Sequence, residues 1–166
     1  LADATAGLAA EMDFSFLMNT DNKLLTVGYR VGENALDQSH YDLLASEARL
    51  ASFVGIAKGD LRPSHWFRLG RSMTPMGVES ALISWSGSMF EYLMPLLVMR
   101  SPPESILDTT YRAVVRRQIE YGSERRIPWG ISEAAYAARD IHLVYQYRAF
   151  GVPGLGFERG LSEDLV

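Results

Sequence analysis

Cysteine is absent from all 166 residues, which excludes a disulfide framework and thiolate metal sites. It leaves the compartment open, since a cysteine-free chain survives in either redox environment. Long hydrophobic runs are missing as well. The longest apolar stretch, residues 93–99, is interrupted by Pro95 and preceded by Glu91, far short of the ~20 residues that span a bilayer. No long run of Lys or Arg occurs, and 16 basic against 20 acidic side chains give a formal charge of -4. With a pI near 5.4, nucleic acid and anionic membrane surfaces are not expected partners. His40, His65 and His142 show no ligand spacing, so no metal site is expected, and nothing calls for a cofactor. Ser84-Trp-Ser-Gly-Ser lacks the Gly-x-Ser-x-Gly elbow of many serine hydrolases. Internal repeats and low-complexity segments are also lacking.

What is present is an ordinary globular composition, 48% hydrophobic and 22% charged, enough for one domain with a core. The amino end has neither an initiating Met nor the basic n-region of a signal peptide. Residues 1–12 read as the last turns of a helix, and residues 161–166 stop on helix-forming residues without a terminating signal. A single segment, 1–166, incomplete at both ends, is therefore expected. Residues 13–17 and 23–31 flank Asn19-Thr-Asp-Asn and predict a β-hairpin. A helix follows over 39–58, closed by Gly59. Residues 65–71 form an aromatic and basic connector, and residues 78–85 a second extended stretch. Further helices are expected over 88–99, over 103–121 with adjoining apolar faces, and over 133–139 with Ser132 as N-cap. Gly151-Val-Pro-Gly-Leu-Gly has no strand and helix around it to make a phosphate loop, and reads as a loop needing tight turns or close backbone approach.

Three glutamates stand out. In the expected helix over 39–58, Leu43, Leu50, Val54 and Ala57 mark one apolar face, and Glu47 occupies the slot between Leu43 and Leu50. Glu91 shares a face with Gly87, Met94, Pro95 and Val98 and repeats the anomaly. A carboxylate on such a face must be paired or used. It is either tied to an arginine such as Arg30, Arg49 or Arg68, or aimed at a polar ligand. Glu133 follows a Ser N-cap, where a carboxylate is ordinary, but it sits among Trp129, Gly130 and Tyr136. Paired carboxylates suit glycosidic-bond chemistry, in which one protonates the leaving oxygen and the other attacks the anomeric carbon or activates the acceptor. Trp66, Trp85, Trp129, Tyr41, Tyr92, Tyr136, Tyr145 and Tyr147 could serve as platforms for sugar rings, although each is individually compatible with core packing.

These residues carry a resemblance. Met12-Asp-Phe-Ser-Phe-Leu, Gly28-Tyr-Arg-Val, Tyr41-Asp-Leu-Leu-Ala-Ser-Glu-Ala-Arg-Leu, His65-Trp-Phe-Arg-Leu-Gly-Arg, Ser84-Trp-Ser-Gly-Ser-Met-Phe-Glu-Tyr-Leu-Met-Pro, Pro128-Trp-Gly-Ile-Ser-Glu and Phe150-Gly-Val-Pro-Gly-Leu-Gly together resemble the glycoamylase-like central domain of bacterial cyclic β-1,2-glucan synthases. The resemblance runs from Met12 over nearly the whole chain. It implies a mainly α fold, part of an (α/α)6 toroid with a β-hairpin and short extended segments. It also implies a larger inner-membrane enzyme with further domains, of which this segment makes no membrane contact itself. The implied activity is cyclisation of linear β-1,2-glucan by transglycosylation, with hydrolysis of β-1,2-glucan or a noncatalytic carbohydrate-binding or assembly module as alternatives. By motif, Glu47 and Glu133 are the implied catalytic pair, Glu47 on the nucleophile's side and Glu133 as acid/base. Glu91, Tyr41, Arg49, Trp66, Trp85 and Trp129 are implied in substrate binding or in tuning the pair. The chain is too short to close a toroid, so in isolation it is expected to be inactive or nearly so and to self-associate through exposed apolar faces.

Overall fold

The computed structural model describes residues 1–157, with residues 135–137 as backbone only; the expected helical ending at 161–166 and the side chain of Tyr136 lie outside that description. About 40% helix and 19% strand, the strands in several small antiparallel sheets, overturn the expected mainly α part of an (α/α)6 toroid. Two segments read as helix from local pattern are fixed instead by strand-type bonds to distant residues. The chain divides into two compact units, one of residues 1–44 and 48–70, the other of residues 45–47 together with the chain from residue 71 onward.

In the first unit, α1 (Ala2–Glu11) buries no side chain. The expected hairpin is present but short: β1 (Met18–Asn19) pairs antiparallel with β2 (Leu24–Thr26), while Ser15–Leu17 forms a 3-10 turn. Asn19 makes the connection by accepting from the backbone N–H groups of Asp21 and Asn22 through Oδ1, at 2.9 and 3.2 Å, the local bonding that favours Asn in turns. A smaller hairpin joins β3 (Tyr29–Arg30) and β4 (Ala35–Leu36). The free edge of β2 takes β5 (His40–Tyr41).

The helix expected over 39–58 is therefore only its second half, α2 (Arg49–Lys58), ended by Gly59 at φ +90°. Residues 40–44 cannot join it because their backbone is engaged elsewhere. Leu44 N–H donates to Gly70 O at 3.0 Å, Gly70 N–H donates to Asp42 O at 2.6 Å, and Leu43 bridges Gly70 in parallel. Leu43, Leu44, Ala45 and Ser46 are all buried in succession, a pattern no single helix face produces. The buried stripe of α2 is Arg49, Ser52 and Gly55, not Leu50, Val54 and Ala57. A Cβ on Gly55 would meet Leu61 Cδ1 at 2.8 Å, so the helix needs glycine where Leu61 folds back. Ser52 Oγ lies 2.8 Å from His65 Nε2, and His65 Nδ1 lies 2.9 Å from Lys23 O. A carbonyl can only accept, so Nδ1 carries the proton and the Ser52 hydroxyl donates to Nε2. This buried relay ties α2, the 3-10 turn Pro63–Arg68 and the end of the first hairpin together.

In the second unit, β6 (Met73–Met76) and β7 (Glu79–Leu82) form a hairpin around Gly77 at φ +63°. The expected helix over 88–99 divides at Pro95, which has no N–H to continue it. It becomes α3 (Met89–Leu93) and a 3-10 turn, Met94–Leu97. Ser105 caps α4 (Ile106–Arg125), accepting from Asp108 N–H at 3.2 Å. The helix buries Thr110, Tyr111, Ala113, Val114, Gln118, Tyr121 and Gly122; of the adjoining faces the sequence predicts, Ile106, Thr110, Val114, Gln118 and Leu107, Tyr111, Val115, this stripe takes Thr110, Val114, Gln118 and Tyr111 and leaves out Ile106, Leu107 and Val115. Thr110 Oγ1 accepts from Leu82 N–H at 3.1 Å, and Arg116 pairs with Glu79 at 2.7 Å, so α4 lies along β7. The helix expected over 133–139 is a strand: β8 (Ala134–Arg139) pairs antiparallel with β9 (Tyr145–Arg148). Asp140 closes their turn by accepting from His142 N–H at 2.8 Å and Val144 N–H at 3.0 Å. The core of this unit includes Ala81, Leu82, Tyr92, Val114, Val152 and Leu155, each at most 1% exposed.

Candidate active site

The loop of residues 84–88 is organised around one side chain. Glu91 projects from the first turn of α3 and accepts through Oε1 from the N–H groups of Trp85 and Ser86, both at 2.9 Å. Through Oε2 it accepts from the hydroxyls of Ser84, Ser86 and Ser88 at 3.1, 2.6 and 2.9 Å, and from Ser88 N–H at 2.8 Å. Ser88 Oγ in turn accepts from Glu91 N–H at 3.3 Å, completing a capping box. The carboxylate singled out as misplaced on an apolar face is thus buried, at 4% exposure, inside a shell of donors supplied by Ser84-Trp-Ser-Gly-Ser. Serine hydroxyls and backbone N–H groups of the loop satisfy both oxygens of this carboxylate.

Glycine backs this loop from behind. A Cβ on Gly151 would fall 2.1 Å from Gly87 C, and one on Gly156 2.4 Å from Ser86 C, so main chain packs on main chain at both places. Ser84 N–H donates to Leu155 O at 3.0 Å, Val152 N–H to Gly87 O at 3.3 Å and Phe157 N–H to Ser84 O at 3.1 Å. The close backbone approach expected of Gly151-Val-Pro-Gly-Leu-Gly is what the structure shows. Tyr92, fully buried, anchors the same junction. Its hydroxyl accepts from Ser84 N–H at 3.0 Å and lies 2.8 Å from Leu82 O and 2.7 Å from Leu155 O. Burial pushes its pKa far above that of an ordinary phenol. A place in the core, not a sugar platform, is its position.

Glu133 is brought to the loop by α3 and α4. Met89 N–H donates to Ile131 O at 3.0 Å and Phe90 N–H to Ser132 Oγ at 3.0 Å, which satisfies otherwise orphaned donors at the start of α3. Gln118 on α4 grips Ile131 with both ends of its amide: Nε2 donates to Ile131 O at 3.1 Å, and Oε1 accepts from Ile131 N–H at 2.8 Å. Ser132 is therefore a cap, but of α3 rather than of a helix following it. The hydroxyl of Tyr147 on β9 donates to Glu133 Oε2. That bond, which favours the protonated phenol, raises the pKa of Tyr147 first, and the charges of Glu133 and Glu47 add to it.

Glu47, in the turn immediately before α2, joins these groups. Ser46, Glu47, Trp85, Ser86, Glu91, Glu133 and Ala149 line a half-open pocket of about 170 Å³. Ser46 Oγ donates to Glu47 Oε2 at 3.2 Å. The pKa of Glu47 is raised above the ordinary carboxylate value, chiefly by burial, then by the negative charge of Glu91 and, more weakly, of Glu133. Among the described residues no cluster of three or more His, Cys, Asp or Glu is arranged to hold a metal ion.

The structure thus brings together Glu47, Glu91, Glu133 and Trp85 of the residues singled out from sequence. Trp129 is 53% exposed, does not line the pocket, and packs its Cβ toward Gly122 of α4. Tyr41 on β5, Arg49 at the start of α2, only 1% exposed, and Trp66 in the 3-10 turn Pro63–Arg68 belong to the first unit. Sequence reasoning did not assign Ser46, Ser86 or Ala149 to the site, and it named Tyr147 only as a platform. For Ser46 and Ser86 the available signal was adjacency to Glu47 and Trp85. For Tyr147 nothing local distinguishes the hydroxyl that reaches Glu133 from its neighbour on Tyr145.

Among the described residues no helix is long and apolar enough to cross a membrane. No family model matches the chain. The chain is 55% identical over its full 166 residues to a cyclic β-(1,2)-glucan synthase, NdvB, of Rhizobium meliloti, and spans 6% of the length of that relative.

Proposed function

We propose that this chain is a carbohydrate-active segment of a cyclic β-1,2-glucan synthase, in which Glu47 and Glu133 act as paired carboxylates in transglycosylation of linear β-1,2-glucan. The observation that carries the reading is the convergence of Glu47, Glu133 and Trp85 on one pocket, with Glu47 pushed toward its protonated form. The full-length similarity to a named synthase supports the substrate class. The pocket's volume falls below the roughly 300–1,000 Å³ of a complete ligand site, which suits one subsite of a longer sugar-binding surface. The remaining domains of the same polypeptide would then supply the chain to be closed, at the bacterial inner membrane that the family resemblance implies.

The environments of the two carboxylates suggest their roles. A proton donor to the leaving glycosidic oxygen needs a raised pKa, and burial beside Glu91 provides that for Glu47. Glu133, with the Tyr147 hydroxyl on one oxygen, is left with a second oxygen to attack the anomeric carbon. This division is the reverse of the one the resemblance implied. In the first half-reaction the bond from anomeric carbon to leaving oxygen breaks, Glu47 protonates that oxygen, and a glycosyl ester forms on Glu133. In the second, Glu47 takes the proton of a sugar hydroxyl at the other end of the glucan, that oxygen displaces Glu133, and the ring closes with retention. Water as acceptor would give hydrolysis by the same pair.

The test is separate Glu47→Gln and Glu133→Gln substitutions in the full-length synthase. Each should lower cyclic product formation by ~10²–10⁴-fold while glucan binding persists. Unchanged product profiles in both would sink the catalytic reading and favour a noncatalytic binding module.

A further inference from the structure

We propose that Glu91 is a positioning residue for this pocket: it holds the loop of residues 84–88 so that Trp85 and Ser86 form one wall beside Glu47, and it does not itself bind the sugar. The inference rests on the function proposed above and concerns a carboxylate whose chemistry that mechanism leaves unused. Its two oxygens face inward to the donors of Ser84, Trp85, Ser86 and Ser88. A sugar hydroxyl would have to displace one of those donors to reach it. Displacement would leave a buried N–H or hydroxyl unsatisfied, at a cost comparable to what the new bond returns.

The same placement gives Glu91 an effect at a distance. Among the described residues, the titratable groups whose fields reach Glu47 include Glu91 from α3 and Glu133 ahead of β8, with Tyr147 of β9 bonded to Glu133. Of the two carboxylates, Glu91 acts more strongly on Glu47. The donors of Ser84, Trp85, Ser86 and Ser88 fix its carboxylate in place, and its negative charge favours the proton on its neighbour. One side chain thereby shapes the wall and adds to the burial that favours the proton on the proposed acid. A ligand for the sugar would do neither.

The experiment compares the pH dependence of turnover in the wild-type full-length synthase and its Glu91→Gln variant, with linear β-1,2-glucan as substrate and thermal melting as the check on folding. If Glu47 is the proton donor, activity is lost on the alkaline side as Glu47 ionises. Removing the charge of Glu91 lowers the pKa of Glu47 and moves that limb to lower pH. A folded Glu91→Gln protein with the alkaline limb unmoved overturns the inference. Should Glu91→Gln fail to fold, Glu91→Asp decides. It keeps the charge but shortens the reach to the loop, so turnover should fall several-fold with the alkaline limb in its wild-type position, and undiminished turnover overturns the inference. Loss of the function itself is read separately. Wild-type turnover in Glu47→Gln and Glu133→Gln would remove the catalytic reading, whereas their inactivity with an unmoved limb in Glu91→Gln removes only the role given to Glu91.

Discussion

Glu47 carries a stability cost that its proposed role explains. Its pKa is raised in the folded chain, mainly by burial, so between the unfolded value near 4.5 and the higher folded value the folded state holds more protons than the unfolded one. Stability then falls as pH rises through that window, and the favourable contribution is complete only below it. Glu47→Gln removes the ionisation. Thermal melts should show the variant gaining on the wild type as pH rises from 4 to 7, and little difference at pH 4; an equal offset at both would contradict the burial of the charge. The residue was found from sequence by an argument whose geometry did not hold. No helix passes through residue 47, and Leu43 and Leu50 do not flank it on a face. What made it conspicuous is still physical, because a carboxylate set among Leu43, Leu44, Ala45 and Leu50 has few solvated places to go. Glu91 was legible for the same reason. Its donors were not, because a serine-rich loop does not announce which side chain it encloses.

At the level of elements, local signals located what is local. The turn at Asn19, the stop at Gly59 and much of the buried stripe of α4 follow from residues within a few positions of one another, whereas the helix expected over 88–99 runs past the break at Pro95. The segments 40–48 and 133–139 were misread because their partners are remote: Gly70 for the one, Tyr145–Arg148 for the other. Ser132 before Glu133 has the composition of an N-cap, and it does cap a helix, but one that begins at Met89, more than forty positions earlier. Tyr92 is the point where several such remote connections meet, since its hydroxyl serves β7, the 84–88 loop and Leu155 at once. Tyr92→Phe keeps the ring and removes the buried hydroxyl that links Ser84 N–H, Leu82 O and Leu155 O. Denaturant unfolding should show a loss of about 1–3 kcal/mol, and a loss within error of zero would mean that the junction is held by packing alone.

For the whole molecule, Glu47, Glu91, Glu133 and Trp85 of the residues the resemblance implied line one pocket and Tyr41, Arg49, Trp66 and Trp129 do not, while the toroid it implied did not appear. The pocket of the second unit is half-open and small, about 170 Å³. The 166-residue chain by itself is therefore expected to turn over linear β-1,2-glucan at a rate close to background, and to self-associate through exposed apolar side chains such as Phe67, Leu97 and Ile141, which are 76%, 83% and 92% exposed. Incubation with the glucan followed by product sizing, alongside size-exclusion chromatography, checks both. Robust cyclic or shortened products would show that the pocket alone suffices.

The glycines at 151 and 156 bear on how such chains are recognised and trimmed. All three glutamates and Trp85 precede residue 151, so a shortened gene ending there would keep the carboxylates and the aromatic side chain of the pocket. It would lose the main-chain buttress on which Ser86 and Gly87 rest, and with it the shape those residues impose. Two proteins that share the glutamates but differ over these few apolar positions should not be assumed to share an activity.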